Sequence, residues 1–185
     1  MKITGGRLKG RTLKTPADSC LRPTSGVIRE SLFNILQERV SRSVFADLFA
    51  GSGSVGIEAI SRGAEKVLFV ENNRQALKLL ADNIKKTAIE KHCIIIKRDV
   101  EKALFALKQE NLDIIFLDPP YHEMDSDSIQ SLFKLIVDSQ LLNESNMLVL
   151  QFKAKFDYDM INIESLTLYK YKKYGKTGLT FWKKQ

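Results

Sequence analysis

Cysteine and histidine are nearly missing from this chain: its 185 residues hold two of each. Cys20 and Cys93 lie far apart, in a spacing that fits neither a metal knuckle nor a redox pair, and so read as reduced thiols of a cytoplasmic protein. His92 and His122 form no cluster with them, so no metal site is expected, and His122 reads as a solvated loop residue. No apolar run approaches the roughly 18–20 residues of a membrane span. The opening Met1-Lys2-Ile3-Thr4-Gly5-Gly6 lacks the apolar core of a signal peptide. Internal repeats, low-complexity tracts and long linkers are also missing. These absences exclude a disulfide-framed secreted module, a zinc module and an integral membrane protein. Acid is absent from the first sixteen residues, which carry Lys2, Arg7, Lys9, Arg11 and Lys14.

What is present suits one globular domain with a real core: 44% hydrophobic and 28% charged residues. The net charge of +7 favours a polyanionic partner. Near the end of the chain Lys170, Lys172, Lys173 and Lys176 interleave with Tyr169, Tyr171 and Tyr174. Basic side chains bind phosphates, and neighbouring aromatics stack on unpaired bases.

Residues 2–14, punctuated by Gly5, Gly6 and Gly10, read as a β-hairpin or a flexible basic arm. Thr24 or Ser25 is a candidate N-cap for a helix reaching about Glu38, with Val27, Ile28, Leu32, Ile35 and Leu36 as its buried stripe. Arg22, Arg29 and Asn34 fall off that stripe. From Val44 the pattern becomes strand–helix alternation. Strands are expected over 44–49, 67–70, 94–96, 114–117 and 147–152, with helices over 54–62, 74–86, 100–109 and 128–138 between them. The repeat of crossovers predicts a Rossmann-like α/β fold with a mostly parallel, doubly wound sheet. Residues 166–172 and 179–182, joined through Gly175-Lys176-Thr177-Gly178, predict a C-terminal antiparallel hairpin that completes seven strands. The expected organisation is a basic extension over 1–42 and one compact domain over 43–185.

Two sites punctuate that domain. Ile114-Ile115-Phe116-Leu117 delivers Asp118-Pro119-Pro120-Tyr121 to the carboxyl end of a strand, where open α/β sheets bind ligands. The prolines stop the strand because neither can donate to a ladder. Such a turn suits methylation of a nucleobase amine. The amine lone pair is delocalised into the ring, and acceptors around its N–H groups favour pyramidalisation. Asp118 and the Pro119 carbonyl can supply those acceptors, Pro120 stiffens the turn, and Tyr121 offers a face for stacking. The second site is Gly51-Ser52-Gly53-Ser54-Val55-Gly56, a G-x-G-x-x-G loop between a strand and a helix, with Glu71 placed to accept from ribose hydroxyls. Taken alone, that loop serves nicotinamide or flavin enzymes equally. Asp47 discriminates: a carboxylate just before the loop repels a pyrophosphate and attracts an ammonium. S-adenosylmethionine, with ribose hydroxyls, an ammonium, a sulfonium and no phosphate, fits Asp47 and Glu71. Asp99 could bond its adenine amino group, or cap the helix from Val100.

The combined pattern resembles a known family. Asp118-Pro119-Pro120-Tyr121 after Phe49-Ala50-Gly51-Ser52-Gly53 looks like the class I methyltransferases that modify exocyclic amines. Gly5-Gly6-Arg7-Leu8-Lys9-Gly10-Arg11, Arg22-Pro23-Thr24 and Arg29-Glu30-Ser31-Leu32-Phe33-Asn34-Ile35-Leu36 are similar to the RsmD family. So are Gly56-Ile57-Glu58-Ala59, Ser61-Arg62-Gly63-Ala64 and Tyr174-Gly175. The resemblance covers nearly the whole chain. It implies a bacterial, S-adenosylmethionine-dependent enzyme that methylates the N2 amine of one guanine in 16S ribosomal RNA, releases S-adenosylhomocysteine, and meets its RNA in a small subunit already carrying proteins. By the same resemblance Asp118, Pro119, Pro120 and Tyr121 hold the guanine. Asp47, Phe49, Gly51, Ser52, Gly53, Glu71, Asn72, Asp99 and Val100, with Arg22 and Thr24, line the cofactor pocket. Lys2, Arg7, Lys9, Arg11, Arg29 and Tyr121 contact RNA. The family usually has Asp-Arg where this chain has Gly26-Val27. Competing readings are a DNA adenine-N6 or cytosine-N4 methyltransferase, a nucleotide-dependent oxidoreductase and a ribosome assembly factor without catalysis. The default oligomeric expectation is a monomer.

Overall fold

A computed structural model of the chain describes residues 1–16, 24–120, 125–153 and 157–185. Five strands run parallel: β1 (Val44–Leu48), β2 (Lys66–Val70), β3 (Cys93–Ile96), β4 (Ile114–Leu117) and β5 (Met147–Lys153). An antiparallel hairpin of β6 (Leu166–Tyr174) and β7 (Thr177–Lys184) adds to β5 through β7. The seven-stranded order is β3-β2-β1-β4-β5-β7-β6. β1 pairs with β2 on one side and β4 on the other, so the winding reverses at the carboxyl ends of β1 and β4. The glycine loop follows the first of these strands, and Asp118 the second.

Helices cover both faces, which is why the strands read as unbroken apolar runs. On one face Phe45, Phe69, Phe116 and Phe181 pack under α1 (Gly26–Leu36), α2 (Ser54–Ser61) and α3 (Arg74–Thr87). On the other, Leu48, Val70, Leu117, Leu150 and Trp182 pack under α4 (Val100–Leu107) and α5 (Ser126–Asp138). Asn73 caps α3 by accepting from the Gln75 and Ala76 amides, and Asp125 caps α5 by accepting from Ser128. Among the described residues no helix is long and apolar enough to cross a membrane.

Of the two expectations for the amino-terminal segment, a hairpin or a flexible arm, the structure takes the hairpin: residues 1–3 lie antiparallel to residues 11–13, with the Ile3 amide donating to the Arg11 carbonyl at 3.0 Å and the Leu13 amide to the Met1 carbonyl at 2.7 Å. The segment forms one isolated antiparallel bridge, Lys2 to Thr12, and is docked through Ile3, Leu8 and Leu13, all buried in the core beneath α1 and α2. Each such burial stabilises by about 1.5–3 kcal/mol. The Arg7 amide donates to the Ser61 carbonyl at 2.7 Å, and the Leu8 amide donates to Ser61 Oγ at 2.9 Å. At Gly6, φ is +74°, and a Cβ would stand 1.9 Å from the Ser61 oxygen, so this contact requires glycine.

The first helix departs from its expected stripe. Ser25 is the cap, and the buried positions are Ile28, Arg29, Leu32, Phe33 and Leu36. Val27 is 68% exposed. Arg29, expected on the RNA-facing surface, is fully buried: Nε donates to Glu58 Oε2 at 2.8 Å, Nη1 to the Thr24 carbonyl at 2.5 Å and Nη2 to the Lys2 carbonyl at 2.6 Å. Glu58, equally buried in α2, also takes Arg62 at 3.0 Å and the Thr4 hydroxyl. Arg29 is therefore no RNA contact, because its donors are spent on the fold.

Removing one partner of such a pair strands the other charge. Glu58→Ala should lower the unfolding free energy in urea by about 3–5 kcal/mol. A Glu58→Leu/Arg29→Met double variant should recover much of that loss. A single-variant loss below about 1 kcal/mol would show that the pair is dispensable.

Candidate active site

The turn after β1 is built on left-handed backbone. Phe49 has φ +72°, Gly51 +56° and Gly53 +80°. A bulky residue in that region is strained, and such strain collects where ligands are held. The Phe49 and Ala50 amides both donate to the Val70 carbonyl, at 3.1 and 3.0 Å, which ties the turn to the end of β2. At Gly53 a Cβ would lie 2.4 Å from Leu80, and at Gly56 one would lie 2.3 Å from the Phe69 ring. These two glycines let α2 sit against α3 and β2. Gly51 has open space where a Cβ would be, so a ligand can approach its backbone. Asn83 of α3 holds the loop from behind: its Nδ2 donates to the Ser52 and Lys14 carbonyls, both at 2.9 Å.

Three carboxylates converge here. Asp47, 2% exposed, accepts from the Gly56 amide at 2.9 Å. Burial pushes its pKa up to about 7. The Gly56 bond opposes that rise, and the negative charges of Asp118 and Glu71 add to it. Glu71 takes the Gly51 amide on one oxygen at 2.7 Å and the Asn72 and Asn73 amides on the other. Asp118 accepts from the Thr24 hydroxyl at 2.9 Å. Such a site attracts a cation and repels a phosphate.

Beside them opens a cavity of about 840 Å³. Phe49, Glu71, Asn72, Asp99 and Val100 line one side, and Asp125, Ser128, Ser131, Leu132 and Leu135 of the α5 region line the other. Asp99 occupies the N-cap position of α4 but makes no side-chain cap bond. Its carboxylate instead accepts from Asn72 at 2.5 Å and Lys102 at 3.3 Å, and those bonds lower its pKa. Among the described residues no group of histidines, cysteines or acids could hold a metal ion.

A family profile described as Conserved hypothetical protein 95 matches residues 1–183. Ribosomal RNA small subunit methyltransferase D of Haemophilus influenzae is 31% identical over 177 residues, covering 95% of this chain and 89% of that one. The chain belongs to the RsmD methyltransferase family. A Thermus thermophilus protein described as hypothetical superposes with a TM-score of 0.80 at 32% identity, covering 98% of each chain. A protein described as a methyltransferase and solved in complex with SAH shares the fold, with a TM-score of 0.70 at 14% identity, covering 85% of this chain and 48% of that one.

In this RsmD-family member the expected pocket residues fall into two groups. Phe49, Glu71, Asn72, Asp99 and Val100 share the cavity, whereas Asp47 stands near the end of β1 and Gly51, Ser52 and Gly53 form the adjoining loop. Thr24 is 6% exposed, and its hydroxyl lies on Asp118. Arg22 and Tyr121, like Cys20 and His122, lie outside the described residues. Lys2, Arg7, Lys9 and Arg11 are exposed, and Arg11 donates to the Thr87 carbonyl at 3.3 Å. Sequence reading missed Asn83, Glu58 and the α5 wall of the cavity. Asn83 was detectable, since it falls at the helical spacing of Ala76, Leu80 and Thr87 on the buried stripe.

Asp47 makes stability depend on pH. Its unfolded pKa is near 3.9, so between about 4 and 7 the folded state binds more protons, and stability falls as pH rises until it levels off above 7. Asp47→Asn removes that penalty. The ligand-free variant should exceed the wild type by on the order of 3 kcal/mol at pH 8, with the gap narrowing toward pH 5. A gap of constant size across that range would contradict the assignment.

Proposed function

We propose that the chain transfers a methyl group from S-adenosylmethionine to the exocyclic N2 amine of a guanine in 16S ribosomal RNA. One observation carries the reading: the Asp118-Pro119-Pro120 turn and the acid-flanked glycine loop end adjacent strands, β4 and β1, at the same edge of the sheet. Relatives named as small-subunit ribosomal RNA methyltransferases supply the substrate class, and the fold-mate holding SAH supports the donor.

The residues present suit that donor. Its ammonium and sulfonium match the charge of Asp47, Glu71 and Asp118, the same charge disfavours a dinucleotide, and Asp99 and Asn72 offer polar edges for an adenine. When bound, S-adenosylmethionine supplies an electrophilic methyl group. Asp118 and the Pro119 carbonyl accept from the two N–H groups of the guanine amine and aim its lone pair. Thr24 Oγ1 donates to Asp118 Oδ2, which restricts that carboxylate to one orientation. Much of the rate gain is alignment, since the transition state loses the sulfonium charge. The amine proton becomes acidic as the new bond forms, and Asp118 or water takes it.

Labelled S-adenosylmethionine, offered with unmodified small subunits, protein-free 16S RNA and DNA, should place label in N2-methylguanosine. Label in adenine or cytosine of DNA would overturn the substrate. Asp118→Ala should abolish transfer while the cofactor still binds, its affinity lowered by no more than about tenfold because Asp47 and Glu71 remain; undiminished turnover would remove the mechanism. Cofactor affinity should rise between pH 6 and 8 as Asp47 sheds its proton, and Asp47→Asn should bind more weakly and without that rise. Titration calorimetry in buffers of different ionisation enthalpy checks both, and a flat wild-type profile would count against an Asp47 contact.

A further inference from the structure

We infer that the β6–β7 hairpin is the surface that grips the RNA backbone next to the target base, through Lys172, Lys173 and Lys176. The inference rests on the reading of the chain as an RNA methyltransferase and assigns its substrate contact to a place other than the basic amino-terminal segment.

Charge is the first observation. Residues 166–185 carry Lys170, Lys172, Lys173, Lys176, Lys183 and Lys184 and no acid. The first four are exposed, and among the described residues none of them forms an ion pair. Three lysines elsewhere are paired, Lys14 with Asp82, Lys66 with Glu110 and Lys102 with Asp99. Cations crowded on two strands without counter-ions repel one another, and a polyanion relieves that repulsion. Tyr169, 53% exposed, lies farther along β6 beside Lys170, with Lys183 Nζ 4.3 Å above one face of its ring. Lysine and tyrosine interleaved in this way fit a single-stranded nucleic acid.

Register is the second. Leu117, just before Asp118, pairs with Leu150 of β5, and β5 continues to Lys153, which pairs with Thr177 of β7. Thr177 in turn pairs with Tyr174 of β6. The hairpin turn therefore lies on the same edge as Asp118 and stands roughly 10 Å beyond the end of β4, about three strand spacings, or ~14 Å, to its side. It is anchored there: the Ser31 hydroxyl of α1 bonds the Tyr174 hydroxyl, and Gly178 admits the Phe152 ring, which a Cβ would meet at 2.5 Å. The lysines thus sit on a rigid wall beside the site.

The amino-terminal cations are placed differently. Arg7 and Leu8 bond to Ser61 at the end of α2, one full helix, roughly 12 Å, from the glycine loop. Arg11 reaches the last residue of α3. Both helices run back from the catalytic edge, so an RNA strand entering at Asp118 meets the hairpin first.

The test compares wild type, a Lys172→Glu/Lys173→Glu/Lys176→Glu variant and an Arg7→Glu/Lys9→Glu variant. Filter binding to protein-free 16S RNA across a salt series is measured with methyl transfer in the same samples, and thermal denaturation and cofactor affinity check folding. The hairpin variant should bind at least tenfold more weakly at low salt, and its slope of log K against log salt should be shallower by about 2. The arm variant should change affinity less than threefold. A Lys172→Gln/Lys173→Gln/Lys176→Gln variant should fall between wild type and the glutamate variant. Hairpin-variant binding within twofold of wild type, with an unchanged slope, overturns the inference, as does a wild type that does not bind the RNA. Weakened binding to assembled small subunits but not to free RNA overturns it in favour of a protein contact. Wild-type binding without transfer either to free RNA or to unmodified small subunits would sink the methyltransferase reading while leaving the hairpin assignment standing.

Discussion

The buried pair of Arg29 and Glu58 connects parts of the chain that have no other reason to meet. Glu58 belongs to α2, which is buried along its whole length. Arg29 reaches it from α1 and spends its remaining donors on the carbonyls of Lys2 and Thr24. Thr24 in turn donates to Asp118. A line of hydrogen bonds thus runs from the helix behind the glycine loop, through the first helix, to the acid at the end of β4. Desolvating both charges is expensive, so a pair of this kind adds little net stability over an apolar substitute. Its contribution is specification: once the charges are buried, few arrangements satisfy every donor, and the one that does sets where the amino-terminal segment, α1 and Thr24 lie.

The same logic, with the sign reversed, governs the site. Asp47 is buried beside Glu71 and Asp118 at a cost, and its pKa, raised chiefly by burial and further by those two charges, registers that cost. Phe49 holds a positive φ in the same turn. Neither feature stabilises the fold. The sheet that supports them is apolar on both faces and covered by helices, and its burial offsets local penalties of a few kcal/mol. A cation placed among the three acids relieves the repulsion, so the energy stored in the empty arrangement becomes affinity. A dinucleotide would add to the repulsion instead, although the glycine loop itself is shared by many nucleotide-binding folds.

What could be read without coordinates follows from how each feature is encoded. Strands buried on both faces appear as continuous apolar runs, and β4 matches its expected span of 114–117 residue for residue. The glycine loop and Asp118 turn are local and so were legible. Arg29 was not. A cation at an off-stripe position defaults to solvent, and its burial depends on an acid 29 residues away, which no local pattern reports. Val27 misled for the opposite reason: an apolar side chain at a plausible spacing carries no sign that Arg29 and Phe33 hold the inner face. The docking of the first fourteen residues was hidden because Gly6 and Leu8 answer to Ser61, again across the chain. Thr24 and Ser25 were both candidate caps; Ser25 fills the role, which leaves the threonine hydroxyl for Asp118.

Net charge illustrates the limit most clearly. A total of +7 points to a polyanion, but a total does not say which cations are available to one. Arg29 and Arg62 are committed to Glu58, and Lys14, Lys66 and Lys102 to surface acids. Among the cations left, Lys172, Lys173 and Lys176 of the β6–β7 hairpin lie toward the edge where β1 and β4 end. Position, not number, decides what a basic residue can do. The extension of β5 from Leu150 to Lys153 therefore has a consequence beyond sheet length, because it carries the turn of the hairpin, and Lys176 with it, past the end of β4 on the edge where Asp118 stands.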